Sequence, residues 1–168
     1  IGKSSLAQQL AQKELRATIT FAGQGLNCLD ELGELYRDHR NLRPWIEEAA
    51  ASIKALVENN KTIAHSGLYP RGFDLLSWPK DPRTRPDNRT LVSCTISQPL
   101  IFITQISRFL CIHHEGLRGA FQAGAISAIT GHSQGVMPAV LIGESEGGLP
   151  TQQRFIEYVR YFVWQGFH

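Results

Sequence analysis

The stretch Ala125-Ile126-Ser127-Ala128-Ile129-Thr130-Gly131-His132-Ser133-Gln134-Gly135, followed by Val136 to Ile142, carries the fold. Ala125 to Thr130 is a short apolar run with β-branched members, the pattern of a buried strand. Gly131 to Gly135 is too rich in glycine to extend that strand and reads as a tight turn, and Val136 to Ile142 as the body of a helix. Strand, sharp turn and helix therefore follow one another without a linker.

The same order begins near the N-terminus. Ser5 to Leu15 reads as an amphipathic helix with Ser4 or Ser5 as its N-cap, and Ala17-Thr18-Ile19-Thr20-Phe21-Ala22 as a second short buried strand running into Gly23-Gln24-Gly25. Helices are predicted over Leu29 to His39 and Pro44 to Asn59. The second starts with proline in its first turn and sets Ile46, Ala50, Ile53 and Val57 on one face. Residues 61–88 turn to proline, glycine and arginine and read as an excursion over the surface. Leu91 to His113 reads as one long helix with Pro99 inside it. After Val136 to Ile142, Glu144-Ser145-Glu146-Gly147-Gly148 breaks the chain. A last helix starts at Thr151, with Phe155, Val159, Phe162 and Val163 at helical spacing.

Composition bounds the function. With 168 residues, 42% apolar and 19% charged, the chain has the make-up of one globular domain. Seventeen basic against fifteen acidic side chains leave +2, too little asymmetry for a nucleic-acid or membrane-surface role, and a small or neutral partner fits better. No stretch reaches the roughly 18 to 20 consecutive apolar residues of a membrane span, and no signal peptide is recognised. Cys28, Cys94 and Cys111 show neither CxxC spacing nor a zinc-site pattern, so reduced thiols, no metal and a cytoplasmic setting are expected. The chain begins at Ile1 and ends on the apolar Tyr161 to His168, which suggests a piece of a longer polypeptide.

Chemistry concentrates at Ser133. A serine hydroxyl is a weak nucleophile and needs exposure, a base and donors for the oxyanion of a tetrahedral intermediate. Gly-x-Ser-x-Gly between a strand and a helix meets the first need. It also places the Gln134 amide at the positive end of a helix, where negative charge is favoured. His132 is set to orient its neighbours rather than act as the base, since adjacent residues at a sharp turn point apart. His113 and His114 read as solvated residues at a helix end. Gly2-Lys3-Ser4 matches the end of a phosphate-binding loop, but the loop's earlier glycine and strand are missing. Arg71, Arg83, Arg85 and Arg89 could meet a coenzyme A phosphate, although such a cluster is more often a solvated loop.

Four islands, Phe21-Ala22-Gly23-Gln24-Gly25, Gln98-Pro99-Leu100, Thr130 to Gly135 and Val163-Trp164-Gln165-Gly166, resemble the acyl-CoA:acyl-carrier-protein transacylases in kind, order and approximate separation. The likeness is to the acetyltransferase domain of fungal and actinobacterial type I fatty acid synthases. The resemblance implies an α/β fold: a parallel-sheet, α/β-hydrolase-like core with helices on both faces, with residues 1–168 forming its N-terminal part before the ferredoxin-like subdomain is complete. It implies Ser133 as nucleophile, the backbone amides of Gln24 and Gln134 as the oxyanion hole, and Gln98, His132 and Gln165 as substrate-binding residues. The general-base histidine is implied to lie beyond residue 168.

Malonyl-using relatives carry arginine where Gln165 stands. A neutral amide cannot replace that grip on a carboxylate, so acetyl is the expected load. Acyl-coenzyme A is the implied donor and the phosphopantetheine of an acyl carrier protein the acceptor. Other synthase domains or subunits are implied partners, with no tightly bound cofactor. An α/β serine hydrolase shares the elbow logic, and a non-enzymatic megasynthase segment is a third reading. The Gly-Gln-Gly and Gln-Gly islands favour the transferase.

Overall fold

A computed structural model of the chain describes residues 4–23, 28–69 and 72–168. The element order is α1 (Leu6–Ala11), β1 (Ala17–Phe21), α2 (Leu29–Asp38), α3 (Arg43–Asn59), the short α4 (Lys61–Ala64) and α5 (Asn88–Leu91), α6 (Cys94–Ile112), α7 (Arg118–Ala123), β2 (Ile126–Gly131), α8 (Val136–Gly143) and α9 (Gln152–Phe167). The protein is mostly helical around a small parallel sheet.

Local chemistry sets the boundaries. Ser5 caps α1 in a full capping box with Gln8, and the helix ends at Ala11, short of the predicted Leu15. Pro44 sits in the first turn of α3, where a missing N–H costs nothing. Gly124, at φ 67°, closes α7 in the left-handed conformation and turns the chain into β2. Thr151 accepts the Arg154 N–H at 3.2 Å to start α9.

β1 and β2 pair in parallel, with Thr18 opposite Ala128, Thr20 opposite Thr130 and Phe21 opposite Gly131, after an irregularity between Ala17 and Thr18. Ile19, Phe21 and Ile129 join the main core, while Ala17 and Ile126 pack with Leu10, Ala120 and Ala125 in a smaller one. On the opposite face Thr18, Thr20, Ala128 and Thr130 are exposed. The expected sheet with helices on both faces is thus seen, among the described residues, as two parallel strands covered on one face only.

The main core is built on α6. Phe102 is fully buried and stacks on Phe155 at 5.8 Å between ring centroids, with Phe162 at 4.9 Å. Truncating such a ring costs about 3 to 5 kcal/mol. Gly166 of α9 abuts the Cys94 carbonyl and the Thr95 Cα so closely that any side chain there would push the two helices apart. By length and composition Cys94–Ala123 could cross a membrane, but 72% of its apolar window is buried inside the fold. It serves here as the central core helix.

Pro99 lies within α6 without ending it. Its missing N–H leaves the Thr95 carbonyl, four residues earlier, without its helical donor. The buried Tyr69 hydroxyl donates to that carbonyl at 2.9 Å. Burial holds the Tyr69 hydroxyl protonated, its pKa pushed up to about 12.

The contact also corrects the reading of residues 61–88 as a surface excursion. Ile63, Tyr69, Phe73, Leu75 and Trp78 are all buried in the main core, and the Phe73 and Trp78 rings lie 4.9 Å apart. Proline and glycine mark the turns of this segment, while its aromatic side chains face inward.

Tyr69→Phe keeps the ring and leaves the Thr95 carbonyl unpaired. Urea unfolding should show a loss of about 1 to 2 kcal/mol, shrinking by half or more in a Pro99→Ala background, where the restored N–H bonds the same carbonyl. Equal losses in both backgrounds would dissociate the tyrosine from the proline.

Candidate active site

The predicted elbow is present. β2 ends at Gly131, residues Ser133–Gly135 form one tight helical turn, and α8 begins at Val136. Ser133 has φ 53°, one of two non-glycine residues with positive φ among those described. Such a backbone costs on the order of 1 to 3 kcal/mol and persists only where its surroundings enforce it.

Two glycines enforce it. A Cβ on Gly131 would collide with the backbone of Gly135 and Val136, and one on Gly135 with the carbonyls of Phe21 and Ala22. The His132 N–H donates to the Phe21 carbonyl at 3.0 Å, extending the strand pairing into the turn, and the Gly135 N–H donates to the His132 carbonyl at 2.9 Å. The Ser133 side chain is exposed. The amide of Gln134 lies in the first turn, whose N–H groups have no intrahelical acceptor.

The loop leaving β1 lies directly against the serine. An added Cβ on Gly23 would stand 3.0 Å from the His132 carbonyl oxygen, 3.1 Å from His132 Nδ1 and 3.1 Å from the Ser133 Cβ. A side chain at Gly23 would have to push these neighbours aside by a few tenths of an ångström. Gln24, the expected second oxyanion donor, lies outside the described residues, as do Gly2, Lys3 and Arg71.

Gln98 and Gln134 meet: the Gln134 side-chain Nε2 donates to the Gln98 carbonyl at 2.5 Å, tying the elbow to α6. The Oε1 atoms of both are buried without a partner among the described residues. The exposed Gln165 precedes the Gly166 that contacts Cys94 and Thr95, so the end of α9 reaches α6 one turn before Gln98. His132 is exposed, its ring beside Gly23. The arrangement gathers Gly23, Gln98, His132, Ser133 and Gln134, with the segment of Gln165 nearby.

Other expectations change. His113 is buried, not solvated: its Nε2–H donates to the Gly147 carbonyl at 3.0 Å, and it packs on Phe109 and Phe121. No contact among the described residues links it to Ser133. Arg85 is tied into the fold, donating to the Trp78 carbonyl at 2.6 Å and to Asp30 of α2 at 2.8 Å, whereas Arg83 is exposed and pairs only with Asp81, as a solvated loop residue would.

Sequence reasoning missed Gln105. Its Nε2 donates to the Ala22 carbonyl at 2.6 Å, 83 residues away in the chain. The available signal was its spacing two helical turns after Gln98, on the same face of α6. A cleft of about 320 Å³ opens there, lined by Ile19, Phe21, Ala22, Gly23, Thr104 and Gln105 among others. A larger cavity, about 790 Å³, lies between α2 and residues 75–80 and contains none of the elbow residues.

One described trio has metal-ligand chemistry, His39, Cys111 and Glu115. The Cys111 thiol donates to Glu115 at 3.3 Å and lies 3.4 Å from His39 Nδ1. Burial and then the Glu115 carboxylate raise its pKa, which keeps the proton on sulfur.

An exposed serine held at positive φ between a strand and a helix, with a helix-terminal amide and a second loop beside it, is the geometry of a serine acyltransferase or hydrolase. Residues 19–168 match the family SAT, described as starter unit:ACP transacylase in aflatoxin biosynthesis, and the chain belongs to that family.

Among similar proteins, the fatty acid synthase beta subunit TOXC of Cochliobolus carbonum is 29% identical over 171 residues, covering 99% of this chain and 8% of that one. The fatty acid synthase subunit beta of Aspergillus oryzae is 28% identical over 163 residues, covering 90% and 8%. The corresponding subunit of Schizosaccharomyces pombe is 32% identical over 142 residues, covering 81% and 6%. The chain therefore spans less than a tenth of the length of these relatives.

Cys28, in the wall of the cleft, is buried, and burial with the nearby Glu31 charge pushes its thiol up to about 11. At about pH 8 only about one molecule in a thousand carries that thiolate. Iodoacetamide followed by peptide mapping should modify the exposed Cys94 well before the buried Cys28 and Cys111. Labelling of Cys28 as fast as Cys94 would contradict the packing of α2 against the cleft.

Proposed function

We propose that this chain transfers an acyl group, acetyl in the first instance, from coenzyme A to the phosphopantetheine thiol of an acyl carrier protein through an ester on Ser133. The observation that carries the reading is the approach of Gly23 to the Ser133 Cβ at the strained elbow. It brings the two backbone segments that an oxyanion hole needs to one side chain. Membership of the starter unit:ACP transacylase family supports transfer over hydrolysis.

In the proposed reaction the Ser133 Oγ attacks the thioester carbonyl carbon while its proton passes to a histidine that the resemblance implies beyond residue 168. The amides of Gln134 and Gln24 hold the oxyanion as the C–O bond forms. The intermediate collapses with cleavage of the C–S bond, and the histidine returns its proton to the departing coenzyme A thiolate. The carrier-protein thiol then repeats the sequence in reverse, giving its proton to the histidine and regenerating the serine hydroxyl.

Gln98, through its carbonyl, and Gln134, through its amide, keep the elbow on α6. His132 and Gln165 contact the substrate. No tightly bound cofactor enters this scheme, and no metal, nucleic acid or membrane. The remaining synthase domains or subunits are its partners. The three unpaired cysteines accord with a cytoplasmic setting.

The test is labelling in the natural full-length polypeptide. Radiolabelled acetyl-CoA should leave acetyl on Ser133, found by peptide mapping, and carrier protein should remove it. Ser133→Ala should abolish both label and transfer, whereas thioester hydrolysis without a transferable label would favour the hydrolase. Gln165→Arg should raise malonyl use relative to acetyl by about tenfold, roughly the value of one charge-assisted hydrogen bond. An unchanged ratio would remove Gln165 from the acyl pocket.

A further inference from the structure

Strand pairing stops at the point where the site begins. The Phe21 carbonyl is held by the His132 N–H, but Ala22, the next residue, lies past the end of β1 and is exposed. Gly23 follows and lies against Ser133. The direction of the Ala22 carbonyl fixes the direction of the Gly23 N–H, because a trans peptide points the two oppositely. Whatever holds Ala22 therefore sets how this loop faces the serine.

Gln105 supplies that hold, with its 2.6 Å hydrogen bond to the Ala22 carbonyl. α6 is a rigid base for it, since Phe102, Ile103 and Ile106 are fully buried in the main core. Two turns earlier the same helix accepts the Gln134 side chain at the Gln98 carbonyl. α6 thus grips both the loop and the elbow. The Gln105 Oε1 is buried without a partner among the described residues, a desolvation cost that an apolar side chain of the same size would avoid. Packing alone gives no reason for an amide there.

We propose that Gln105 is a positioning residue for the reaction, its side-chain N–H holding the Ala22 carbonyl so that the loop amides face the oxyanion formed at Ser133. The proposal rests on the acyltransferase reading above. Because oxyanion donors act on the transition state more than on the bound substrate, losing their alignment lowers kcat with little effect on KM.

The experiment compares the parent, Gln105→Glu, Gln105→Met and Ser133→Ala in the natural full-length polypeptide, assayed for acetyl transfer from acetyl-CoA to carrier protein. At about pH 8, Gln105→Glu and Gln105→Met should each lower kcat by about tenfold or more, with KM within about twofold. Towards about pH 5.5 the ratio of Gln105→Glu to parent should recover, because burial beside the Ala22 carbonyl lifts the new carboxyl above its ordinary value of about 4.3 and, once protonated, it again offers an O–H to that carbonyl, while Gln105→Met stays low.

Parental rates in both variants, or a deficit in Gln105→Glu that does not change with pH, would overturn the positioning role. Gln105→Glu preserves the side-chain volume, so its pH ratio decides the matter even where Gln105→Met does not fold. Transfer that survives Ser133→Ala would instead sink the Ser133 ester on which the proposed mechanism rests, and this proposal with it.

Discussion

The hydrogen bond from the His132 N–H to the Phe21 carbonyl is the last rung of the parallel pairing, and the site depends on it. It joins segments more than a hundred residues apart and fixes the register in which Phe21 faces Gly131. Slipping a strand by one residue would exchange its faces. Ile19 and Phe21 would leave the core for the exposed face of Thr18 and Thr20, and the Gly23 loop would no longer meet the serine. The core and the candidate site are thus set by a single register.

α6 is the second constraint. A parallel pair of strands has little stability by itself, and here one face of it joins the main core that also holds the Phe102 aromatic stack of α6. Pro99 would weaken that helix at Thr95, but Tyr69 restores the lost hydrogen bond from the segment preceding α5. The residue immediately before Pro99 is the one whose carbonyl accepts Gln134. Stability and site geometry therefore meet within one turn of α6, and Gly166 lets α9 approach that same turn.

Much of this was legible in the sequence where the cause is local. β-branched runs marked both strands, caps and proline marked α1, α3 and α9, and the two glycines around Ser133 marked the elbow. What was not legible depends on partners distant in the chain. The aromatic residues of 61–88 look like parts of a proline-rich loop until Phe73 and Trp78 are seen to meet the core. His113 looks solvated because its acceptor, the Gly147 carbonyl, is 34 residues away. Gln105 looks like a chance polar residue because its partner is 83 residues upstream. Periodicity finds the buried face of an element but not the individual polar atoms that two elements exchange.

The strain at Ser133 follows from these constraints. Positive φ is disfavoured for a serine, and its side chain makes no hydrogen bond among the described residues. It persists because the backbone on either side is held: upstream by the Phe21 pairing to His132, downstream by α8, and across the turn by the contact between Gly131 and Gly135. Relieving it would mean moving β2 or α8 as a whole, each fixed by core residues such as Ile129, Leu141 and Ile142. The strain is small beside the burial that maintains it. The serine side chain is kept presented at the apex of the turn, and the apolar core on which β2 and α8 pack maintains that exposure.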